Sequence, residues 1–132
     1  MRTINKIIIH CSATPEGKAV TVNDIDKWHK ERGFDCIGYH YVIYLDGSIH
    51  LGRSIEKAGA HCTNQNKNSI GVCYVGGVTK DGTPKDTRTD AQRKAMHSLI
   101  SELKVQYPNA SIHGHCEFAA KACPCFDVSE LL

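Results

Sequence analysis

The sequence predicts a single α/β domain over residues 1–132, with a mixed central β-sheet flanked by helices. Short apolar runs rich in β-branched residues alternate along the chain with two segments of helical periodicity. Glycine, proline and aspartate separate these segments. The 132 residues, 41% of them hydrophobic, supply enough apolar material for one core. Strands interleaved with helices pack as a sheet covered by helices.

The first two elements follow from local signals. Residues 6–9 form a short apolar run, which predicts a buried strand with His10 at its end. Thr21 and Asp24 have the spacing of a capping box, and the apolar stripe that follows predicts a helix over residues 22–32.

The middle of the chain has the period of strands. The Asp46-Gly47 pair predicts a hairpin with a two-residue turn between strands at 39–45 and 48–51. Residues 70–75 are an apolar run of strand length, and residues 80–88 are rich in turn formers, which predicts an exposed loop.

The last third contains a helix, a short strand and an irregular tail. Thr89 and Gln92 form a second capping-box pattern, which predicts a longer helix that ends before Pro108-Asn109. Residues 110–113 are predicted as a strand, and residues 114–126 are dense in His, Cys and Pro without a clear period.

Charge and hydropathy favour neither a nucleic-acid partner nor an integral membrane segment. The net charge is +2 and charged residues make up 23% of the chain, so no one-sided field is expected. The N-terminal apolar run is too short for a signal peptide or a membrane span, which favours synthesis in the cytoplasm. The sequence leaves the oligomeric state open.

The cysteines and histidines indicate a metal site. Seven cysteines without an export signal are expected to be buried or metal-bound rather than paired in disulfides. His10 and the tail from His113 to Cys125, which is rich in His and Cys, offer the ligands that zinc prefers, and a site with three protein ligands leaves a fourth position for water. The spacing also allows Cys116 or Cys125 to close a structural site with four protein ligands.

Five short motifs occur in a characteristic order along the chain. They are Ile9-His10-Cys11-Ser12-Ala13-Thr14, Trp28-His29-Lys30-Glu31, Gly38-Tyr39-His40, Asn68-Ser69-Ile70-Gly71-Val72 and Lys121-Ala122-Cys123-Pro124. In this order they resemble the motifs of the zinc-dependent N-acetylmuramoyl-L-alanine amidases of the phage lysozyme and peptidoglycan-recognition-protein family. The similarity extends over residues 7–127, nearly the whole chain.

The resemblance implies the fold of that family, one Zn²⁺ ion and cleavage of the bond between N-acetylmuramic acid and L-alanine in bacterial peptidoglycan. It implies His10, His115 and Cys123 as ligands, with Tyr39 and Lys121 assisting the chemistry. A zinc site of this composition keeps about one positive charge and can activate water. Lys121 or Tyr39 would then stabilise the oxyanion.

Two further residues are expected to contact substrate. His61 lies in a loop that borders the substrate groove in the family, and Arg53 is suited to pair with a peptide carboxylate. The expected role is that of a phage or prophage endolysin that reaches the cell wall after a separate protein opens the membrane. The alternatives are a non-catalytic peptidoglycan-recognition module, in which the zinc cysteine is replaced, and a small domain with a closed structural zinc site.

Overall fold

The computed structural model describes residues 2–132 and contains seven strands and two helices. In chain order the elements are β1 (Lys6–Cys11), β2 (Thr14–Pro15), α1 (Val22–Glu31), β3 (Tyr41–Ile43), β4 (Ile49–Leu51), β5 (Ser69–Tyr74), β6 (Gly77–Val78), α2 (Asp90–Gln106) and β7 (Ser111–Gly114). Short 3₁₀ turns at Asn66–Asn68, His115–Glu117 and Val128–Leu131 complete the architecture.

The central sheet has five strands in the order β4-β3-β5-β1-β7. Strand β1 pairs in parallel with both β5 and β7, and β3 is parallel to β5. Only β4 is antiparallel within this sheet, because it returns from β3 through a hairpin. Strands β2 and β6 form a separate two-stranded parallel pair. The predicted mixed α/β sheet is confirmed.

Alternation along β1 separates a packed face from a site face. Ile7, Ile9 and Cys11 belong to the larger core cluster, which also contains the buried face of α2. Since successive side chains point to opposite faces of a strand, His10 lies on the other side. A smaller cluster on this second side includes Ile25 of α1. Helix α2 therefore covers one face of the sheet and leaves the other to α1 and the site.

Both helices begin at the predicted capping boxes. The Thr21 side chain accepts from the Asp24 N–H, and Thr89 accepts in the same way from Gln92. Each N3 side chain returns a bond to the N-cap backbone, which satisfies N–H groups that the helix itself leaves free. A capping box depends only on residues close in sequence, so the sequence alone predicts where each helix begins.

The hairpin prediction was wrong in its turn and in its strand lengths. The Tyr44 N–H donates to the Ser48 carbonyl, and the Gly47 N–H donates to the Tyr44 carbonyl, so three residues connect the paired positions. Gly47 has φ +87°, the left-handed conformation that such a connection requires at its last residue. The paired strands span only Tyr41–Ile43 and Ile49–Leu51.

The remaining predicted helices and strands match to within a few residues, whereas β2 and β6 were not predicted. Helix α2 ends at Gln106, and β7 begins one residue later than predicted, at Ser111. The loop predicted as exposed over residues 80–88 is buried at its end, because a hydrogen bond to the Thr87 hydroxyl and the ion pairs of Arg88 turn these two side chains inward. Within residues 2–132, no helix combines the length and the apolar character needed to cross a membrane.

Candidate metal centre and active site

His10 is placed at the site by its strand. It is the fifth residue of β1 and its side chain is buried, with only 1% exposed. Its ring centroid lies 4.5 Å from that of His115 and 5.1 Å from that of Tyr39. The strand register explains the first neighbour: Ile9 pairs with Gly114, the residue directly before His115.

Cys123 reaches the centre through the irregular tail. The Cys116 N–H donates to the Cys123 carbonyl at 2.8 Å, which folds the tail back beside the end of β7. The Cys11 N–H then donates to the Cys123 sulfur at 3.1 Å. The Cys123 sulfur in turn lies 3.9 Å from the Cys11 carbonyl oxygen, so both backbone polar groups of Cys11 hold it beside the end of β1.

His10, His115 and Cys123 form a potential metal-binding group. One ligand atom from each side chain lies within 4.8 Å of the other two. Zinc binds imidazole nitrogen at about 2.0–2.1 Å and thiolate at about 2.3 Å, so small side-chain movements bring all three atoms onto one ion. The donor set fits zinc in both number and chemistry.

The closed four-ligand arrangement that the sequence left open is not formed. Among residues 2–132, the group of potential ligands contains only the three predicted residues. Cys116 is exposed, and Cys125 lies against Cys11 with the two sulfur atoms 4.0 Å apart. A centre with three protein ligands has the composition of a catalytic site rather than a structural one.

Burial disfavours the protonated form of the His10 and His115 imidazoles. The pKa of His10 is held well below its ordinary value by burial and then by the nearby charges of His61, His115 and Lys121. The pKa of His115 is lowered by burial and by Lys121. Because a neutral imidazole binds metal without first losing a proton, these shifts favour metal binding near neutral pH.

Tyr39 and Lys121 stand beside the three-residue group. Tyr39 precedes β3 by two residues, and burial raises the pKa of its hydroxyl well above the ordinary value. The phenol therefore remains a proton donor. Lys121 is exposed, and its ammonium makes no hydrogen bond or ion pair within the part of the chain that the structure describes. Both side chains line the groove described next.

The groove consists of two adjoining cavities of about 350 and 220 Å³. They share His29, Arg32, Tyr39, His115 and Lys121. None of the side chains that line them, within residues 2–132, is a carboxylate, whereas two are permanently cationic. The groove is therefore open to solvent, positively charged and in contact with the metal-type centre.

Arg53 occupies a different position from the one its predicted role requires. Its guanidinium donates to the carbonyls of Ile37, Cys36 and Ala58, at 2.9, 3.1 and 3.0 Å. It also pairs with Asp35 at 2.7 Å, and it is not among the residues that line the groove. These contacts hold the segment before Tyr39. Binding of a substrate carboxylate by Arg53 remains a prediction.

His61 lines the groove, as its predicted substrate contact requires, but its ring is 8% exposed. Nδ1 lies 2.8 Å from Nε2 of His10, and Nε2 lies 3.2 Å from the Ser69 hydroxyl. Both ring nitrogens are thus engaged inside the protein. A substrate contact by this residue remains a prediction.

Several lining residues were not singled out from the sequence. Arg32 follows α1 and has its guanidinium carbon 5.0 Å from the centroid of the Phe34 ring. Phe118 lies in the tail and lines the larger cavity. Nothing in their local sequence distinguishes them from surface residues. His29 also lines the groove, and its Nδ1 accepts the Gly38 N–H at 2.8 Å.

A three-donor centre beside an open groove and an exposed ammonium has the composition of the sites in hydrolytic enzymes that use a metal-activated water. The chain belongs to the N-acetylmuramoyl-L-alanine amidase family, because residues 1–126 match the family model of that description. It is an enzyme that hydrolyses the amide bond between N-acetylmuramic acid and L-alanine in peptidoglycan.

Individual relatives agree with this assignment. The chain is 44% identical to the endolysin of Klebsiella phage KP32 over 124 residues, which is 94% of this chain and 82% of the relative. The fold is similar to that of the N-acetylmuramoyl-L-alanine amidase LysC from Clostridium intestinale, with a TM-score of 0.83, 26% identity and coverage of 98% of this chain and 83% of that one. Drosophila PGRP-LB has a TM-score of 0.80 at 26% identity, covering 94% of this chain and 76% of its own.

Proposed function

We propose that the amidase acts through one Zn²⁺ ion held by His10, His115 and Cys123, with Tyr39 and Lys121 assisting the reaction. The observation that carries the proposal is the convergence of three donor atoms within 4.8 Å beside an open groove, which His115 and Cys123 line. When bound there, zinc would supply a Lewis acid that polarises the amide carbonyl and lowers the pKa of water.

The thiolate sets the charge of the centre. Two neutral imidazoles add none, and the Cys123 sulfur contributes one negative charge, so the loaded site keeps about one positive charge. The Cys11 N–H limits the negative charge on this sulfur by donating to it at 3.1 Å. Cys11 itself stays a thiol, because its hydrogen bond with Cys123 and its burial raise its pKa.

Lys121 is assigned to the developing oxyanion. Its ammonium is the cation in the groove closest in sequence to a ligand, and its charge lowers the pKa of both His10 and His115. Lys121 lines both cavities together with His115, which places it beside the centre. A preorganised positive charge stabilises the negative oxygen of a tetrahedral intermediate more than it stabilises the neutral amide.

Tyr39 is assigned as a hydrogen-bond donor to the attacking water or to the same oxygen. Its raised pKa excludes the phenolate at neutral pH, so it acts as a donor rather than as a base. Its ring packs between two histidines, with centroids 5.1 Å from His10 and 5.3 Å from His29. This packing restricts the direction in which the hydroxyl points.

The proposed biological role is that of a phage or prophage endolysin. This role is supported by the 44% identity to the endolysin of phage KP32 and by the 43% identity over 122 residues to the endolysin of Escherichia phage T7. The peptidoglycan substrate lies outside the membrane, and we propose that a separate membrane-opening protein gives the enzyme access to it.

The test is hydrolysis of purified peptidoglycan by the protein as isolated, after chelation and after zinc is restored. We expect free stem peptides that begin with L-alanine, identified by mass spectrometry, to disappear on chelation and to return with zinc. Cleavage that persists at full rate in protein shown by metal analysis to be zinc-free would contradict the zinc assignment. Binding without cleavage by the zinc-loaded protein would favour the recognition module instead.

A further inference from the structure

A chain of side-chain contacts leads away from the metal-type centre. Nε2 of His10 lies 2.8 Å from Nδ1 of His61, and Nε2 of His61 lies 3.2 Å from the Ser69 hydroxyl oxygen. All three side chains are buried, at 1%, 8% and 0% exposure. In such a place each hydrogen bond has to be made within the protein, because water is not there to replace it.

The contact with His61 determines which nitrogen of His10 is available to a metal. Since Nε2 is engaged, only Nδ1 is left for zinc. A neutral imidazole that binds metal through one nitrogen carries its proton on the other. His10 must then donate from Nε2 to Nδ1 of His61, and His61 must carry its own proton on Nε2 and donate to Ser69.

Two glycines without side chains leave the space that the His61 ring occupies. A Cβ atom at Gly59 would lie 2.5 Å from Cδ2 of His61, and one at Gly71 would lie 2.7 Å from Cγ and from Cδ2. Contacts this short do not occur, so only glycine at both positions leaves room for the ring. The Asn66 side-chain oxygen accepts the backbone N–H groups of His61 and Cys62, both at 2.9 Å, which fixes the loop.

We propose that His61 is a positioning residue that selects the Nε2–H tautomer of His10 and directs its Nδ1 toward the zinc ion. This inference rests on the proposed zinc site and deepens it. It differs from the predicted substrate contact, because the ring acts through His10 and has no free nitrogen. Residues that orient metal-binding histidines in this way change metal affinity by about 10- to 100-fold.

The first test compares zinc affinity in His61→Phe, His61→Asn and wild type by competition with a chromophoric chelator. We expect the phenylalanine variant, which keeps the bulk and loses the acceptor, to bind zinc about 10- to 100-fold more weakly. Asparagine carries an acceptor oxygen near the former Nδ1 and should recover most of the affinity. His50→Phe is the matched control, because His50 stacks on Tyr44 outside the centre.

A second measurement does not depend on how the variants fold. Nitrogen-15 NMR of the zinc-loaded wild-type protein should show His10 protonated at Nε2 and bound to metal through Nδ1. Binding through Nε2, or zinc affinity in a folded His61→Phe variant within threefold of wild type, would overturn the proposal. Both readouts concern metal binding alone, so a failure of amidase activity in the wild type would be recognised separately.

Discussion

Replacing Lys121 by alanine should slow catalysis without releasing zinc. The ammonium is unpaired within residues 2–132 and faces the groove, so its removal leaves no buried partner exposed and creates no cavity. Loss of one oxyanion donor lowers kcat by about 100- to 1000-fold in other hydrolases. Because Lys121 is exposed and water screens its charge, we expect the lower limit, about 100-fold.

Zinc affinity, unlike kcat, should not fall when Lys121 is replaced. Burial is the main cause of the lowered pKa values of His10 and His115, and the Lys121 charge adds to it, because one positive charge disfavours another nearby. Its removal should therefore leave the zinc affinity unchanged or slightly higher. This result would separate a catalytic role from that of a ligand or a structural residue.

The assay is the steady-state hydrolysis of soluble peptidoglycan fragments at saturating zinc, with the bound metal measured in the same samples. Lys121→Arg keeps the charge and should retain part of the activity. Lys94→Ala removes an exposed lysine from α2, the helix on the other face of the sheet, and should behave as wild type. A kcat for Lys121→Ala within threefold of wild type, or loss of zinc from this variant, would refute the reasoning.

Three other predictions concern the metal, the core and pH. Cys123→Ser should abolish both zinc binding and hydrolysis, and a serine variant with wild-type zinc affinity would disprove the ligand assignment. The Gln92 side-chain amide donates buried hydrogen bonds to the Ile43 and Val75 carbonyls, at 3.2 and 3.0 Å. Gln92→Leu removes these bonds and should lower the free energy of unfolding, measured in urea, by about 2–4 kcal/mol. A decrease of less than about 1 kcal/mol would contradict this prediction. Burial lowers the pKa of His40 to about 4. Between this pH and about 6.5, the ordinary pKa of histidine, the unfolded chain therefore binds a proton at His40 that the folded chain does not bind. As the pH falls through this range, the free energy of unfolding of the zinc-free protein should decrease by up to about 1.4 kcal/mol per pH unit for this group. His40→Gln should flatten that dependence, and an equal slope in both proteins would contradict it.

Local signals in the sequence were sufficient for the helices and for the strand that carries His10. A capping box needs only side chains three residues apart, and the Thr21 and Thr89 boxes formed as predicted. The alternation of β1 likewise placed His10 opposite Cys11 without any knowledge of the neighbouring strands. The hairpin was harder, because Asp46-Gly47 is compatible with connections of different length and the pairing of the flanking strands selects among them.

The family motifs singled out Cys123 in the tail, but residue spacing alone left Cys116 and Cys125 open as further ligands, and the tertiary structure places only Cys123 in the group with the two histidines among residues 2–132. Cys116, Cys123 and Cys125 lie within ten residues of one another, and sequence spacing does not show which sulfur faces the histidines. The fold decides this through the bond from the Cys116 N–H to the Cys123 carbonyl and through the contact between Cys125 and Cys11.

The surroundings of His10 depended on the fold even more strongly. His61 is 51 residues away in sequence, and its contact with His10 exists because Gly71 on β5 leaves room for the ring above the sheet. The guanidinium of Arg53 is suited to bind a substrate carboxylate, yet it donates to nearby backbone carbonyls and to Asp35. Residue types and local spacing thus determined the class of chemistry, whereas long-range packing determined the partner of each polar atom. The reason is that hydrogen bonds and metal contacts depend on distances between residues that come together only when the chain has folded.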